Sequence, residues 1–436
     1  MTPSPVFFGD AARRAAEIVS ATSFPRGLDH LLIRDVYGRI SIALNVTRSD
    51  HGGLAASLDA QLATLGAYRG TPGLIFSDEL FDPVRIFDDP SINDLVVQGT
   101  ELTVRILDRQ VTGQDWLLIE DQILSIPRLV FFGLKGGVGR STALSVLAYS
   151  LAKVGKEVLL IDLDLESPGL SGLLLPPDKL AEFGVLDWLV EDAVGQGGEV
   201  VERMLSTSPL SANLRGEIKV AAAIGKGDSL YLDKLSRVYA DVSDGHRPQR
   251  FSGRLRRLIQ TLEEQEKPDV VLIDSRAGLH DLAAMSIVGL ATTAFCFATD
   301  TAQGWQGYRA LFGHWQSRPK VAVNVREKLK MVSALFPESD QASRAKSFLE
   351  NSYTLFGETL YDKVSPGDND LELFNFGMED TSAPHFPLRI RWNNRFQEFD
   401  PLQISNGLFN DDEIRASYGE FLDGAMEELE GRSVSE

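Results

Sequence analysis

The residues best suited to chemistry form a glycine-rich loop from Gly133 to Thr142, with the sequence Gly-Leu-Lys-Gly-Gly-Val-Gly-Arg-Ser-Thr. An apolar run, 129–132, precedes the loop, and apolar residues with helical spacing follow it as far as Gly155. Glycines let successive backbone N–H groups turn towards one centre, and the first turn of a helix adds the positive end of its dipole. The pattern therefore predicts a phosphate-binding loop between a strand and a helix, with the Ser141 hydroxyl on a magnesium ion.

This segment resembles the deviant Walker A motif of the ParA/MinD ATPases, in which Lys-Gly-Gly-Val-Gly-Xaa-Ser-Thr follows a strand. The resemblance implies an ATPase that binds ATP and Mg²⁺ as a nucleotide-dependent homodimer. In such a dimer Lys135 reaches the phosphates held by the partner subunit. The binding residues that the resemblance implies are Lys135, Gly136, Gly137, Val138, Gly139, Arg140, Ser141, Thr142 and Gly278.

Two positions depart from the family pattern. Arg140 stands where relatives have a lysine that contacts the β and γ phosphates, and Leu134 stands where they usually have glycine. An arginine keeps the charge and can grip phosphate with two N–H groups, but its planar fork is larger than an ammonium. We therefore expect nucleotide binding to survive the exchange more easily than fast hydrolysis, and we count Arg140 with Lys135 and Asp164 as catalytic residues.

The segment 160–169, Leu-Ile-Asp-Leu-Asp-Leu-Glu-Ser-Pro-Gly, resembles the first switch of the same family. The resemblance assigns Asp164 to positioning the attacking water and Asp162 to the magnesium ion or its waters. A carboxylate can accept a hydrogen bond from a water poised in line with the γ-phosphate, which makes the first role physically sound. The alternative is a pair of strand-end carboxylates without chemistry.

The segment 270–278 resembles the Walker B strand and the second switch. In that role Asp274 holds magnesium through a water, and Gly278 lets the backbone approach the γ-phosphate and respond to its loss. Arg276 stands in this loop, where relatives usually have a proline nearby. Two readings stay open for it: an arginine that acts on phosphate, or an ion pair with Asp281.

Adenine recognition is implied by the resemblance alone. After a later strand, relatives often have an asparagine that reads the base, whereas the aligned stretch here, 334–336, is Ala-Leu-Phe. The residues themselves therefore leave ATP against GTP open.

The spacing of apolar runs indicates an α/β fold. After Pro127, runs that are apolar on both faces alternate with helical stretches, as a parallel sheet covered on both sides requires. These runs are 129–132, 158–161, 270–273, 294–298 and 330–333. We predict a doubly wound, mainly parallel P-loop NTPase domain over 127–436, with an extended segment at about 173–250. A smaller α/β domain of unknown role is predicted over 1–126, with a last strand at 116–119.

The amino-acid composition limits which kinds of binding partner and which cellular location we expect. The chain has 62 acidic and 43 basic side chains, a formal charge of −19, and an acidic surface repels phosphate backbones and anionic lipid. The single cysteine, Cys296, lies in the apolar run 294–298 and is predicted to be a buried thiol. We find neither a secretory signal pattern nor an apolar stretch of about 20 residues, so we expect a cytoplasmic protein.

The sequence is less informative about what the switch acts on. The last helix, which Asn410 and Glu413 are expected to cap, is acidic and suits packing on its own domain better than a membrane. A basic run comprises Arg247, Arg250, Arg254, Arg256 and Arg257, and is read either as an ion-paired face or as a contact for DNA or protein. We predict an ATP-dependent dimeric switch that hydrolyses ATP slowly and controls a protein partner. Two alternatives stay open: a catalytically weak nucleotide sensor or scaffold, and a DNA-partitioning ATPase.

Overall fold

The structure is a computed structural model. It describes residues 5–117, 119, 124–227, 229–243, 248–364, 373–396, 399–402 and 410–433. The chain divides into two compact units, which are Met1–Ile119 with Phe312–Asn324 (unit 1) and Glu120–Leu311 with Val325–Glu436 (unit 2). Arg247 of the basic run lies outside the described residues.

Unit 1 contains a five-stranded mixed sheet in the order β3-β2-β1-β5-β4. Its elements are α1 (Phe8–Ala21), β1 (His30–Arg34), β2 (Ile40–Leu44), α2 (Gly52–Leu62), β3 (Arg69–Phe76), α3 (Pro83–Phe87), β4 (Ile92–Val96) and β5 (Thr103–Asp108). Strand β1 pairs antiparallel with β2 and parallel with β5. Apolar residues of α1 and α2, such as Ala15 and Leu58, form one core with Ile42 and Phe76 of the sheet.

The predicted strand at 116–119 is wrong for the residues described there. Gln114–Leu117 form a single turn of 3₁₀ helix. Trp116 is buried, its ring centroid lies 5.8 Å from that of Trp315, and its carbonyl oxygen accepts the Trp315 Nε1–H at 3.0 Å. Packing of the two indoles therefore decides the local conformation, which the apolar run alone did not indicate.

Unit 2 contains an eight-stranded sheet in the order β15-β14-β13-β6-β12-β7-β9-β8, in which only the β8–β9 pair is antiparallel. The elements up to β12 are β6 (Arg128–Gly133), α4 (Arg140–Lys153), β7 (Val158–Asp162), α5 (Leu170–Leu174), α6 (Val185–Asp192), α7 (Gly197–Val201), β8 (Leu205–Thr207), β9 (Ile218–Ala221), α8 (Tyr231–Leu235), β10 (Val242–Ser243), β11 (Pro248–Gln249), α9 (Phe251–Glu266) and β12 (Val270–Asp274). Every apolar run predicted as a strand in this part of the chain lies in a strand.

The elements after β12 complete the sheet and its covering helices. They are α10 (Asp281–Ala284), a π-helical turn (Met285–Leu290), β13 (Thr293–Ala298), α11 (Ala302–Gln316), α12 (Pro319–Arg326), β14 (Leu329–Phe336), α13 (Gln341–Thr359), β15 (Leu388–Arg391) and α14 (Asp411–Ser433). Helices α11 and α12 each contain residues of both units. The predicted α/β class with a mainly parallel sheet is confirmed.

The main core of unit 2 lies between one face of the sheet and helices α4 and α14. Helix α4 ends at Lys153, and Gly155 follows in the left-handed region at φ 97°. The apolar face of α14 contributes five fully or nearly buried residues, which are Ile414, Tyr418, Phe421, Leu422 and Ala425. The Asn410 side chain accepts the Glu413 N–H at 2.8 Å, whereas the Glu413 carboxylate pairs with Arg395. The acidic last helix therefore packs on its own domain, as the sequence predicts.

The sheet register brings three strand ends together. Asp274, at the end of β12, lies beside Phe131 of β6 on one side and beside Asp162 of β7 on the other. Because these strands are parallel, the loops that follow them open at one edge of the sheet. This edge holds the candidate site.

Candidate nucleotide-binding site

The glycine loop between β6 and α4 has the geometry that phosphate binding needs. Gly137 and Gly139 have φ angles of 74° and 80°, which are left-handed values that favour glycine. A Cβ atom added at Gly136 or Gly137 would meet no atom within 4 Å, so the loop faces open space there. The amides of 135–139 donate to no other group in the part of the chain that is described. They are therefore available to an anion at the start of α4.

Side chains of the loop anchor it to its surroundings. A Cβ atom at Gly307 would lie 2.7 Å from Leu134 Cδ1, so Leu134 packs on α11 only because that helix has a glycine there. This contact accounts for the first departure from the family pattern. Val138 is buried, and Thr142 is half-buried in the first turn of α4. Lys135 is exposed and donates from Nζ to Gln303 Oε1 at 2.5 Å.

Arg140, the second departure, joins the loops that follow β7 and β12. Its side chain is only 8% exposed. Nη1 donates to the carbonyl oxygen of Ser275, and Nη2 lies 3.4 Å from Asp164 Oδ2. The cation of the phosphate loop therefore contacts both segments that the sequence identified as switches.

A hydroxyl and two carboxylates meet beside the loop. Ser141 Oγ donates to Asp274 Oδ2 at 2.6 Å, and Asp162 Oδ1 accepts the Asp164 N–H at 3.1 Å. Asp162 and Asp274 are buried, and Asp162 Oδ2 and Asp274 Oδ1 have no hydrogen-bond partner among the described residues. Buried polar atoms are normally paired, so these two oxygens indicate a ligand.

Electrostatics in the site follow from burial. Burial raises the pKa of Asp274 to about 6, although Arg140 and the Ser141 hydroxyl oppose the rise. Burial, and then the charge of Asp274, raise the pKa of Asp162 well above its usual range. Burial also raises the pKa of Asp164, against the opposing effect of Arg140. A cation at the two unpartnered oxygens would relieve the repulsion between the carboxylates.

These groups fit a magnesium ion shared with a ligand. Within the described ranges no three His, Cys, Asp or Glu side chains form a metal cage. Mg²⁺ rarely uses such cages, because it is usually held by one or two carboxylates, by waters and by phosphate oxygens. Ser141, Asp274 and Asp162 supply that kind of donor set next to a loop of available amides.

The switch loops are tied to the start of the phosphate loop. The Gly278 N–H donates to the Gly133 carbonyl at 3.0 Å, and Gly278 has a φ of 88°. The Leu163 N–H donates to the Asp274 carbonyl at 3.0 Å, which links the ends of β7 and β12. Gly278 is therefore hydrogen-bonded to the end of the strand that precedes the glycine loop, and its role towards a γ-phosphate stays a prediction.

Arg276 has a partner that the sequence analysis did not identify. Its Nη1 lies 2.7 Å from Glu166 Oε1, in the loop after β7. The Tyr239 hydroxyl donates to the same Glu166 oxygen. A glutamate two residues after Asp164 was the only sequence signal for this pair, and its contact across two loops needed the fold.

The basic run is ion-paired at two of its arginines. Arg254 is 1% exposed and donates from Nε to Asp192 Oδ2 at 2.9 Å. Arg257 reaches the same carboxylate at 2.7 Å. Arg254 is therefore a buried structural residue and offers no surface to DNA, which supports the ion-paired reading for these two arginines.

Comparisons with known proteins give a family and several structural neighbours. Residues 129–286 match the family model of the CobQ/CobB/MinD/ParA nucleotide binding domain. The structure of pNOB8 ParA is 16% identical, with 71% of this chain and 98% of that chain covered and a TM-score of 0.43. An ATP complex of McdA from Cyanothece is 15% identical, covering 70% and 96%, with a TM-score of 0.41. MinD from Aquifex aeolicus is 15% identical, covering 69% and 97%, with a TM-score of 0.41. A comparison with curated proteins found no match.

The α/β fold with its large, mainly parallel sheet places the glycine loop in a segment that matches a nucleotide binding domain. Residues 129–286, which include the glycine loop and both segments predicted as switches, are similar to the nucleotide binding domain of the CobQ/CobB/MinD/ParA family. The predicted family is thereby confirmed, while the roles of individual loop residues stay predictions. Among the helices that the structure describes, none is long and apolar enough to cross a membrane.

Proposed function

We propose that the chain is an ATP-dependent molecular switch that binds Mg·ATP at residues 134–142, hydrolyses it slowly and controls a protein partner. One observation carries this proposal. Ser141 and Asp274 are hydrogen-bonded at 2.6 Å beside a loop of available amides, and one buried oxygen each of Asp162 and Asp274 has no partner in the part of the chain that the structure describes. This combination suits a triphosphate with its cation better than either a neutral ligand or a bare anion, which two buried carboxylates would repel.

The phosphates would be held mainly by backbone. Amides of 135–139 and the first turn of α4 donate to phosphate oxygens, and Gly136 and Gly137 leave room for the chain to approach. Thr142 lies in the same first turn and backs the loop. Arg140 adds a charge that can reach the β and γ phosphates only if it leaves Asp164 or Ser275.

Ser141, Asp274 and Asp162 would hold Mg²⁺, directly or through water. When bound, the ion supplies positive charge against the β and γ phosphate oxygens. The protein's own contribution is to orient both carboxylates, and because burial favours their protonated forms, the bound cation would hold them ionised. Because the pKa of Asp274 is raised to about 6, cation binding is accompanied by proton release below that pH.

Asp164 is the residue proposed to orient the attacking water. Its carboxylate already lies 3.4 Å from the Arg140 guanidinium, and both side chains are nearly buried. A carboxylate paired with a guanidinium is a weaker hydrogen-bond acceptor for water, so hydrolysis should be slow. Each turnover would require Arg140 to shift from Asp164 towards phosphate.

The dimer and the partner follow from the family resemblance. Lys135 is exposed, and its contact with Gln303 is a single solvent-accessible hydrogen bond that it can exchange. Lys135 is therefore available to complete the site of a second subunit. Loss of the γ-phosphate would release Gly278 and the loops after β7 and β12, and so change affinity for a protein partner.

Phosphate release by the purified full chain tests the proposal. We expect slow release with Mg·ATP, about tenfold or more slower in Asp164→Ala, with nucleotide still bound. Arg140→Lys should release phosphate faster than the wild type, because an ammonium no longer forms the two-sided contact with Asp164 and Ser275. Asp178→Ala, at an exposed site away from the switch loops, is the matched control. If the wild type binds no nucleotide, the proposal fails.

The Arg140–Asp164 pair also favours a second candidate, a nucleotide sensor or scaffold that binds ATP without useful turnover. The same measurement separates the two. Bound Mg·ATP with no phosphate release above background, unchanged by Asp164→Ala, would select the scaffold. Release that depends on Asp164 would select the hydrolysing switch.

A further inference from the structure

A second cationic side chain, that of Arg276, belongs to the loop after β12, next to a residue that Arg140 contacts. Arg276 follows Ser275, whose carbonyl oxygen accepts from Arg140 Nη1. Two residues later, the Gly278 N–H bonds the Gly133 carbonyl at 3.0 Å. The backbone of Arg276 is therefore held on both sides by contacts of its neighbours with Arg140 and β6, next to the glycine loop.

Glu166, which pairs with Arg276, also accepts a hydrogen bond from another residue. Glu166 Oε1 lies 2.7 Å from Arg276 Nη1 and also accepts from the Tyr239 hydroxyl. The ring of His280 packs on that of Tyr239, with Nε2 at 4.0 Å from Glu166 Oε1. When Arg276 leaves, Glu166 keeps its bond from Tyr239. Exchange of Arg276 therefore does not strip the carboxylate of every donor.

Charge and solvent exposure favour a move of Arg276 from Glu166 to a bound phosphate. The Arg276 and Glu166 side chains are 28% and 22% exposed, so water screens their attraction in part. A triphosphate in the neighbouring loop carries several negative charges, whereas Glu166 carries one. Guanidinium groups bind phosphate with two parallel N–H donors, which gives the phosphate a further advantage over one carboxylate oxygen.

We infer that Glu166 holds the Arg276 side chain until Mg·ATP binds, and that Arg276 then moves to the γ-phosphate. The inference rests on the proposed function, because it requires a nucleotide in the loop 134–142. During hydrolysis the water oxygen bonds the γ-phosphorus, the bond to the bridging oxygen of the β-phosphate breaks, and the water proton leaves with the phosphate product. Arg276 takes no proton and offsets the charge on the γ-phosphate oxygens.

A purely structural tie between the two switch loops is the alternative. In a tie, Arg276→Ala and Glu166→Gln break the same bond and have the same effect. In our proposal they act in opposite directions, because the first removes a phosphate ligand and the second releases it. The comparison of the two variants is therefore the informative measurement.

The experiment measures binding of Mg·ADP and of Mg·ATPγS to the full chain and its variants. Arg276→Ala should lose about tenfold or more in affinity for ATPγS, while its ADP affinity changes less than about threefold. Arg276→Lys should recover part of the loss. Glu166→Gln should bind ATPγS at least as tightly as the wild type, and retained ADP binding shows that each variant is folded. Arg309→Ala, which removes an arginine from the exposed pair with Glu358, is the control.

Two outcomes would overturn the inference. One is an Arg276→Ala variant that binds both nucleotides like the wild type, and the other is an equal loss for both nucleotides in Arg276→Ala and Glu166→Gln. Should Arg276→Ala fail to fold, Arg276→Gln and Arg276→Lys give the same comparison. A wild type that binds neither nucleotide would sink the proposed function itself, so the two failures are distinguishable.

Discussion

Buried charged side chains lie at both ends of the central strands of unit 2. At the amino end of β6, Arg128 donates from Nε and Nη2 to the two carboxylate oxygens of Glu263 at 2.6 and 2.7 Å. At the carboxyl ends of β7 and β12, Asp162 and Asp274 each keep one oxygen unpartnered among the described residues. Leaving a buried acceptor unpaired is destabilising. Arg128 Nη1 also has no partner among the described residues, so it is the position of the two carboxylate oxygens, close together beside the glycine loop, that indicates a ligand.

Two arginines that share one partner give a stability prediction. Arg254 and Arg257 both bond Asp192, but the first is 1% exposed at its side chain and the second 44%. Arg254→Ala should lower the free energy of unfolding by about 2–3 kcal/mol, because it removes the buried hydrogen bonds of the guanidinium to Asp192 and to the Leu189 carbonyl oxygen, while Asp192 keeps Arg257. Arg257→Ala, the matched control, should cost less than about 1 kcal/mol. Urea denaturation measures both, and equal losses would contradict the assignment of Arg254 as structural.

Asp274 gives a pH prediction. Its pKa is about 6 in the folded protein against 3.8 as its ordinary value, so between these values the folded state binds a proton that the unfolded chain has lost. Stability therefore falls as pH rises through this window. Asp274→Asn has no proton to lose in this window. The free energy of unfolding of the variant minus that of the wild type should therefore be larger at pH 7.5 than at pH 4, by about 1 kcal/mol or more.

The measurement is urea denaturation in EDTA at the two pH values. Asp178→Asn, at an exposed position, is the control for loss of a surface charge. A gain in Asp274→Asn that is the same at pH 4 and pH 7.5 would rule out the raised pKa.

At the scale of elements, β14 ends in a bulge beside the phosphate loop. The β14–β15 register shifts between Ser333 and Phe336, and Leu335 between them has a φ of 52°. A Cβ atom at Gly139 would lie 3.8 Å from Leu335 Cδ2, so the strained residue borders the phosphate loop. Left-handed backbone is unfavourable for leucine but tolerated by asparagine. The bulge is therefore held by its neighbours in the sheet and not by local preference.

Leu335→Asn should relieve this strain. Since Leu335 is 38% exposed, little buried area is lost, and we expect the free energy of unfolding to rise by about 0.5–1 kcal/mol. Leu335→Ala removes the same side chain without relieving the backbone and is the control. Thermal denaturation of the two variants measures the difference, which should vanish if the left-handed conformation is not maintained in solution.

At the scale of the whole molecule, the proposed switch requires two copies of the chain. The residue proposed to cross between them, Lys135, is exposed in unit 2 and donates a hydrogen bond to Gln303. A nucleotide that each subunit completes for the other links binding to association by mass action. Dimerisation should therefore depend on nucleotide and on protein concentration.

Light scattering after size exclusion tests this expectation. With Mg·ATPγS the mass should move from one chain of 47.9 kDa towards two, and Lys135→Ala should weaken the dimer about tenfold or more. Lys156→Ala, which removes another exposed lysine of unit 2, is the control. A dimer of equal strength without nucleotide, or one indifferent to Lys135, would contradict the cross-subunit role.

Some of the molecule could be predicted because its signals are local. The alternation of two-sided apolar runs with helical stretches predicted five strands of unit 2, which are β6, β7, β12, β13 and β14, and the glycine spacing predicted the loop before α4. Strand β4 was missed because Asn93 and Asp94 are poor strand formers, and its pairing with β5 decides its conformation. The 3₁₀ turn at Trp116 was misread for a similar reason, since a distant indole determines it.

The sequence by itself determined the fold class and the position of the glycine loop, because periodicity and glycine spacing act over short stretches of chain, and its motifs carried the resemblance to the family whose model matches residues 129–286. Only the tertiary structure decided which charges meet. Arg140 with Asp164, Arg276 with Glu166, and Arg254 with Asp192 are pairs separated by 24, 110 and 62 residues. The physical reason is that the partner of a buried charge depends on which strand ends and helices the sheet brings together, and nothing in the local chain encodes that proximity.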